Sequence, residues 1–564
     1  MRLPLVFIAG LAACGTSDAP EPRPGERSQG TSTGAEPILP TVPDVVGWVV
    51  INELQPRNES TLPSPGADPF PDWVELVNTT ADPIPWSRVS LSDGGAPVVV
   101  PLEGELLPGV HTVLFTDLLG IGLSGDGETL DVYVDRSPSD QVGWTAQPRD
   151  VSVARVPDLS GELLPTATPS PGAPNPAPSA SLDAADATVF VADQVHTIDF
   201  VVAEDLLDEL AEGDRFIGTF NDYQEVEASV VIDGIHFPRI GLRRKGSAST
   251  DPLSGKPPFV VDLNAFVPGT RFRTLKEFNL NNGKVLDPTL LHEHLSYTLA
   301  RASGIAAPRV GWAVVSLNGL DYGIYALVER HDDVFIERNF PGSGEQGVVL
   351  EPNETSDGNW LSGGDFGGRS LAWDFEEGPV PVDPAMIATV EQISDLVKGP
   401  ASDDAIAELW TLADRDTVTG YFAWENVVGH HDGYHVPNNW RVYVDPQTLH
   451  VHLLPSGADW TWDQRAGPWA WGGRLASWCL KNAGCEADVA RRMVEIADTV
   501  DAIALADEYD RIYAGIEPLL LSQPRPNHSA NGIRNADMRT RVTLEDFPAN
   551  ARRDACERVP SVCP

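Results

Sequence analysis

Between residues 430 and 463 the chain reads HHDGYHVPNNWRVYVDPQTLHVHLLPSGADWTWD. Two apolar runs, 440–444 and 449–454, flank Asp445-Pro446-Gln447-Thr448, a tight turn. Asp432 and Asn439 stand just before this predicted hairpin, and Asp459 just after it. A hairpin returns both chain ends to one edge, so the three polar groups are expected to converge. Oxygen ligands plus a separate carboxylate at one mouth suit metal-assisted phosphoryl transfer. Asp432 would orient or deprotonate a hydroxyl, while Asn439 and Asp459 would hold Mg²⁺, a hard cation that takes oxygen ligands. The histidines at 430, 431, 435, 450 and 452 invite a zinc reading, but no His-Glu-x-x-His spacing accompanies them.

A body must position these groups. From about residue 187, strand patterns at 195–202, 225–231, 235–243 and 258–263 accompany a short helix at 206–212. Residues 289–303 carry apolar side chains at helical spacing, with Asp287 before Pro288 as an N-terminal cap and Gly304 as a stop. The runs 310–317 and 322–328 flank Asn318-Gly319, a hairpin signal. After residue 382 the pattern turns mostly helical. The expectation is a two-lobed α+β body over 187–465, followed by a helical extension over 466–564.

Upstream, 46–160 alternates short apolar runs with turn residues and shows no helical period, which predicts an antiparallel β-sandwich. The segments 51–53, 72–78, 91–93 and 169–175 resemble a lamin-tail domain, an immunoglobulin-like sandwich, here assigned to 45–164. That resemblance implies adhesion or positioning. Pro-rich stretches at 14–44 and 165–186 read as tether and linker.

The 564 residues exceed one core, and an apolar fraction of 42% with 15 Trp and 18 Phe supplies several. Against 39 Lys plus Arg stand 82 Asp plus Glu, a net charge of −43 that repels phosphate backbones and argues against nucleic acid as a partner. Residues 1–13 are short and apolar, ending in Leu11-Ala12-Ala13-Cys14-Gly15. This resembles a bacterial lipobox and implies a lipid on Cys14 and export to the outer membrane or cell surface. Of the remaining cysteines, Cys479 with Cys485 and Cys556 with Cys563 are expected to form local disulfides in an oxidising compartment.

Residues 187–465 resemble the spore-coat-protein-H (CotH) kinase family, surface or secreted proteins with an atypical protein-kinase fold. The resemblance rests on ordered blocks at 241–247, 256–259, 279–282, 291–293, 318–329 and the 430–463 run. It implies ATP and Mg²⁺ as cofactors. Lys256 is similar to the lysine that grips the ATP phosphates, with Lys245 also at the ATP site, and Glu293 is similar to its ion-pair partner. The 325–329 segment, ending in Glu329, is similar to the strand and hinge beside adenine. Asp432 takes the role of catalytic base, and Asn439 and Asp459 that of metal ligands. The sequence departs in Gly457-Ala458-Asp459, where many members carry a carboxylate in place of Gly457. The leading expectation is ATP-dependent phosphorylation of Ser/Thr hydroxyls on an envelope or surface protein. A non-catalytic pseudokinase or adhesion scaffold is the alternative, and a carbohydrate-active surface protein a third.

Overall fold

A computed structural model describes residues 48–64, 70–156, 158–159, 162–166, 169–175, 189–192, 194–213, 223–246, 248–266, 270–273, 275–285, 287–342, 346–352, 365–367, 373–465, 467–469 and 471–563. All lie in one compact unit, Val42–Pro564. The expected signal peptide, Cys14, the 14–44 tether and positions 176–186 of the linker fall outside the described residues.

The first region contains β1 (Val49–Gln55), β2 (Trp73–Asn78), β3 (Ile84–Pro85), β4 (Val89–Ser92), β5 (Val98–Val99), β6 (Glu105–Leu106), β7 (Thr112–Phe115), β8 (Gly127–Val134), β9 (Ser137–Thr145), β10 (Ser152–Val156) and β11 (Glu162–Thr166). They form a five-stranded sheet, β11-β10-β1-β2-β7, and a four-stranded sheet, β5-β4-β8-β9, with β3 and β6 paired apart. The period-two alternation of Leu130, Val132 and Val134 on β8 turns them into one core with Ile51, Leu76 and Leu91. Glu53 and Glu75 are buried here. Glu53 accepts hydrogen bonds from the Ser170 backbone (3.1 and 3.2 Å), and Glu75 accepts one from the Gly172 backbone (2.6 Å). The segment 170–175, whose composition reads as linker, is thus laid against this region by buried carboxylates.

The second region opens with β12 (Val195–Val201), β13 (Val226–Ile232), β14 (Ile235–Arg244), β15 (Phe259–Asp262), β16 (Glu277–Asn281), β17 (Val310–Leu317) and β18 (Leu320–Glu329). They close into a barrel in the order β12-β13-β14-β15-β16-β18-β17, shut by parallel pairing of β12 with β17. Phe200, Phe237, Phe259, Phe278 and Tyr325 fill its interior. The two regions meet at β14. His236 Nδ1 lies 3.2 Å from the Asp140 carboxylate of β9, which Arg155 of β10 also grips at 2.9 Å.

The third part pairs a sheet with helices. β19 (Val348–Pro352), β20 (Trp373–Glu377), β21 (Trp440–Val444) and β22 (Val451–Pro455) align as β20-β19-β21-β22. The helices His292–Ala302, Arg415–Val428, Ala483–Ala502, Leu505–Ser522 and Ala530–Arg558 share one core, joining Leu295, Trp424 and Trp462 to Val489, Ile512 and Leu544. The 466–564 segment therefore completes this core instead of trailing from it. Both expected disulfides, Cys479–Cys485 and Cys556–Cys563, are present. The predicted 289–303 helix begins at His292. Leu290 takes a left-handed turn and Leu291, not Asp287, is the N-cap residue, while Asp287 accepts from the Leu291 and His292 backbones at 3.2 and 2.8 Å. Among the described residues no helix is long and apolar enough to cross a membrane.

Candidate functional site

Strand order decides which polar groups meet. Arg244 pairs with Phe259, and Phe259 with Leu280, so the position after β14 lies across β15 from the end of β16. Lys245 occupies it, its backbone donating to Pro258 O at 3.0 Å. Its ammonium donates to Asn281 Oδ1 at 2.9 Å, and Asn281 Nδ2 donates to Glu293 Oε2 at 2.6 Å. An amide thus bridges the cation to a carboxylate on the His292–Ala302 helix. Loss of hydration pulls the Lys245 pKa down to about 8, against the opposing charges of Glu293 and Asp459. Glu293 is 3% exposed, and burial raises its carboxyl.

Tyr297 links this helix to the hairpin exit. Its hydroxyl lies 3.3 Å from Glu293 Oε1 and accepts the Ala458 backbone N–H at 3.2 Å. One residue on, Asp459 is pushed up to about 7, first by burial and then by the charges of Glu293, Asp432 and Asp287. Its carbonyl lies 3.2 Å from His292 Nδ1. At the hairpin mouth Asn439 lies against Asp432, and Asp459 feels the charges of Glu293 and Asp432 and, in opposition, that of Lys245. Asn438 and Asn439 each donate to the Asp432 carboxylate at 3.0 Å. Gly457 sits at φ 52°, and a Cβ there would stand 2.8 Å from Asn439 Cγ. Glycine thus lets the β22 exit pass this close to the Asn439 side chain without strain.

The loop bearing Asp432 hangs on Glu425, 2% exposed on the Arg415–Val428 helix. Glu425 accepts from the backbones of Tyr434 (2.7 Å) and His435 (3.1 Å) and from the Tyr421 hydroxyl (2.9 Å). His430 lies between Glu425 Oε1, 3.3 Å from Nδ1, and Gly457 O, 3.2 Å from Nε2. Nε2 meets an acceptor, while Nδ1 stands near the Glu425 carboxylate without a hydrogen bond. Burial opposes a charge on the ring, but Glu425 outweighs it and the His430 pKa is raised. Sequence reading missed Glu425, although a lone carboxylate in Phe422-Ala423-Trp424-Glu425-Asn426-Val427-Val428 was a visible signal.

The expected pairing of Lys256 with Glu293 is not made. Lys256 precedes β15 and donates to Ile324 O (2.5 Å) and Gln523 Oε1 (2.7 Å), its ammonium 4.7 Å from the centre of the Tyr325 ring. Burial takes its pKa down to about 7. The cation beside Glu293 is Lys245 instead, because Lys245 and not Lys256 stands across from Asn281. The Glu329 carboxylate at the end of β18 is gripped by Arg309 (2.7 Å) and Arg338, and β18 is paired with β16 on one edge and β17 on the other, so this segment offers a ligand neither that carboxylate nor an open backbone edge.

The donor set fits a hard cation. Glu293 and Asp432 add their charge to the burial that raises Asp459, with Lys245 opposing. With its Nδ2 committed to Asp432, Asn439 keeps Oδ1 as an acceptor. Among the described residues no group of three His, Cys, Asp or Glu side chains is preformed as a metal cage.

Residues 242–485 match the family model described as CotH kinase protein, and this part of the chain is kinase-like. A search of curated proteins found no significant match. Two solved structures align weakly. One is HipA of Shewanella oneidensis MR-1, in its toxin–antitoxin complex with HipB and operator DNA, at 12% identity and a TM-score of 0.25. The alignment covers 49% of this chain and 60% of that one. The other is the Helicobacter pylori proinflammatory kinase CtkA, at 11% identity and a TM-score of 0.21, covering 50% of this chain and 91% of that one. Such scores carry no structural argument.

Proposed function

We propose that the chain transfers the γ-phosphoryl group of ATP, with Mg²⁺, to Ser or Thr hydroxyls of envelope or surface proteins. The observation that carries this reading is the meeting of Lys245, Glu293, Asp432, Asn439 and Asp459 at the junction of barrel and hairpin. Lys245, aligned by Asn281 and Glu293, takes phosphate oxygens. Asp432, fixed by two asparagine amides, orients the acceptor hydroxyl and receives its proton. Asn439 and Asp459 hold Mg²⁺, which when bound neutralises phosphate charge. Catalysis in this scheme is positioning and electrostatics.

We read the first region as a lamin-tail-like, immunoglobulin-like sandwich that positions the kinase-like body, its support being the junction of Asp140 with His236 on β14. We read Cys14 as the lipid-bearing residue of an exported protein anchored in the outer membrane or at the cell surface. Residues 11–15 support this, as do the two disulfides, which persist in oxidising compartments.

One observation favours a second, non-catalytic reading. Gly457-Ala458-Asp459 brings a single carboxylate to the metal position, and that carboxyl is pushed up to about 7. Transfer of radiolabel from γ-labelled ATP to envelope protein, lost in Asp432→Asn, tests the kinase reading. A wild-type chain that neither transfers label nor shifts its melting with Mg-ATP is the scaffold.

A further inference from the structure

The link between the helices Leu505–Ser522 and Ala530–Arg558 does more than join them. It leaves the helical core and reaches two segments of the barrel. Arg525 donates to Leu253 O (3.0 Å) and Gly255 O (3.1 Å), its guanidinium 4.0 Å from the Tyr322 ring centre. Asn527 donates to Asn282 O at 3.1 Å, and His528 Nε2 to Gly283 O at 2.7 Å. Asn282 in turn donates to Ser249 O (3.1 Å) and Lys256 O (2.7 Å), tying the two segments to each other.

These segments frame the candidate site. One is the turn directly after Asn281. The other is the loop that begins directly beyond Lys245. Both bracket the Lys245–Asn281–Glu293 relay. The helix following the link touches the opposite wall: Thr540 lies 2.9 Å from His292 Nε2, whose Nδ1 meets the Asp459 carbonyl, and Thr543 donates to Trp462 O at 2.7 Å.

We propose that residues 525–528 form a positioning strap: by holding the 249–257 loop and the 282–283 turn, Arg525, Asn527 and His528 keep Lys245 and Asn281 in register with Glu293. None of the three touches the relay's own side chains, so they act through backbone placement and are not catalytic. The C-terminal segment is then an integral part of the site's scaffold. The nucleotide arm of the test rests on the kinase reading; the exchange arm does not.

The test uses the full chain and the double variant Asn527→Ala/His528→Ala. Loss of both carbonyl partners should speed amide hydrogen exchange about tenfold or more at 249–257 and 279–284, leaving β12 and β13 unchanged. Affinity for Mg-ATP should fall about tenfold. His528→Gln, which keeps a donor for Gly283 O, should restore most of both. Ile533→Val trims a buried methyl from the same helical core without touching the strap, and should alter neither. Exchange that stays at the wild-type rate, rises equally over the whole barrel, or rises identically in Ile533→Val would overturn the proposal. Should the wild type bind no Mg-ATP, the kinase reading falls while the exchange pattern still decides the strap.

Discussion

Asp459→Asn should make the metal-free protein more stable while removing its response to Mg-ATP. In the folded chain this carboxyl is raised from an ordinary 3.8 to about 7 by burial and by neighbouring carboxylates. A raised acid binds its proton more tightly folded than unfolded. Its contribution is fully present below the unfolded value and is lost as pH climbs through the folded one. At neutral pH and above, the wild type therefore carries a buried, crowded carboxylate that the isosteric amide relieves. Taken whole, the rise corresponds to ~4 kcal/mol. The carboxyl keeps partial exposure, so about half, ~2 kcal/mol, is expected, or roughly 2–4 °C in melting temperature.

The pH course is the sharper signature. The melting gap between variant and wild type should vanish near pH 4, widen through about pH 7 and stay flat above it. Differential scanning fluorimetry across that range, in chelator and then in Mg-ATP, reads both effects. Ligand at about a hundred times its dissociation constant should stabilise the wild type by ~2.7 kcal/mol, reversing the order of the two proteins. If the Asp459→Asn substitution lowers the metal-free melting point at neutral pH, or the gap ignores pH, the carboxylates do not crowd one another and the cation-site argument fails.

Lys245→Met should weaken Mg-ATP binding about 30-fold or more, whereas Lys256→Met should change it less than about threefold, by calorimetry; the opposite ranking would return Lys256 to the phosphate site. Asp432→Asn should cut label transfer by about 10²-fold or more yet leave the Mg-ATP melting shift in place, since the amide keeps the shape and loses the base. Glu425→Gln should destabilise the fold in denaturant unfolding by weakening the acceptor of the Tyr434 and His435 backbones, and should lower transfer more than nucleotide affinity because it loosens the Asp432 loop first.

How much of this was legible in the sequence depends on the range of the pairing involved. The β21–β22 hairpin is local: two apolar runs and a turn in which Asp445 accepts from Gln447 and Thr448 (2.7 and 3.1 Å) define it, and with it the approach of the β22 exit to Asn439 and Asp432. The Asp287 acceptor ahead of the helix was equally local, although Leu290 delays the helix start. Choosing between Lys245 and Lys256 was not a local question. Both flank β-rich runs, and alternation along either strand is silent about which lysine faces Glu293. The answer lies in lateral register across three strands, which sets Lys245 opposite Asn281 and turns Lys256 toward Ile324 and Gln523. Local patterning specifies period, while register across a barrel is fixed by the closed hydrogen-bond ladder. The same limit hid the C-terminal helices: amphipathic spacing announces a helix with an apolar face but not the partner of that face. Here the partner is the core around Trp424 and Trp462, and the Leu505–Ser522 and Ala530–Arg558 helices stand beside both walls of the site.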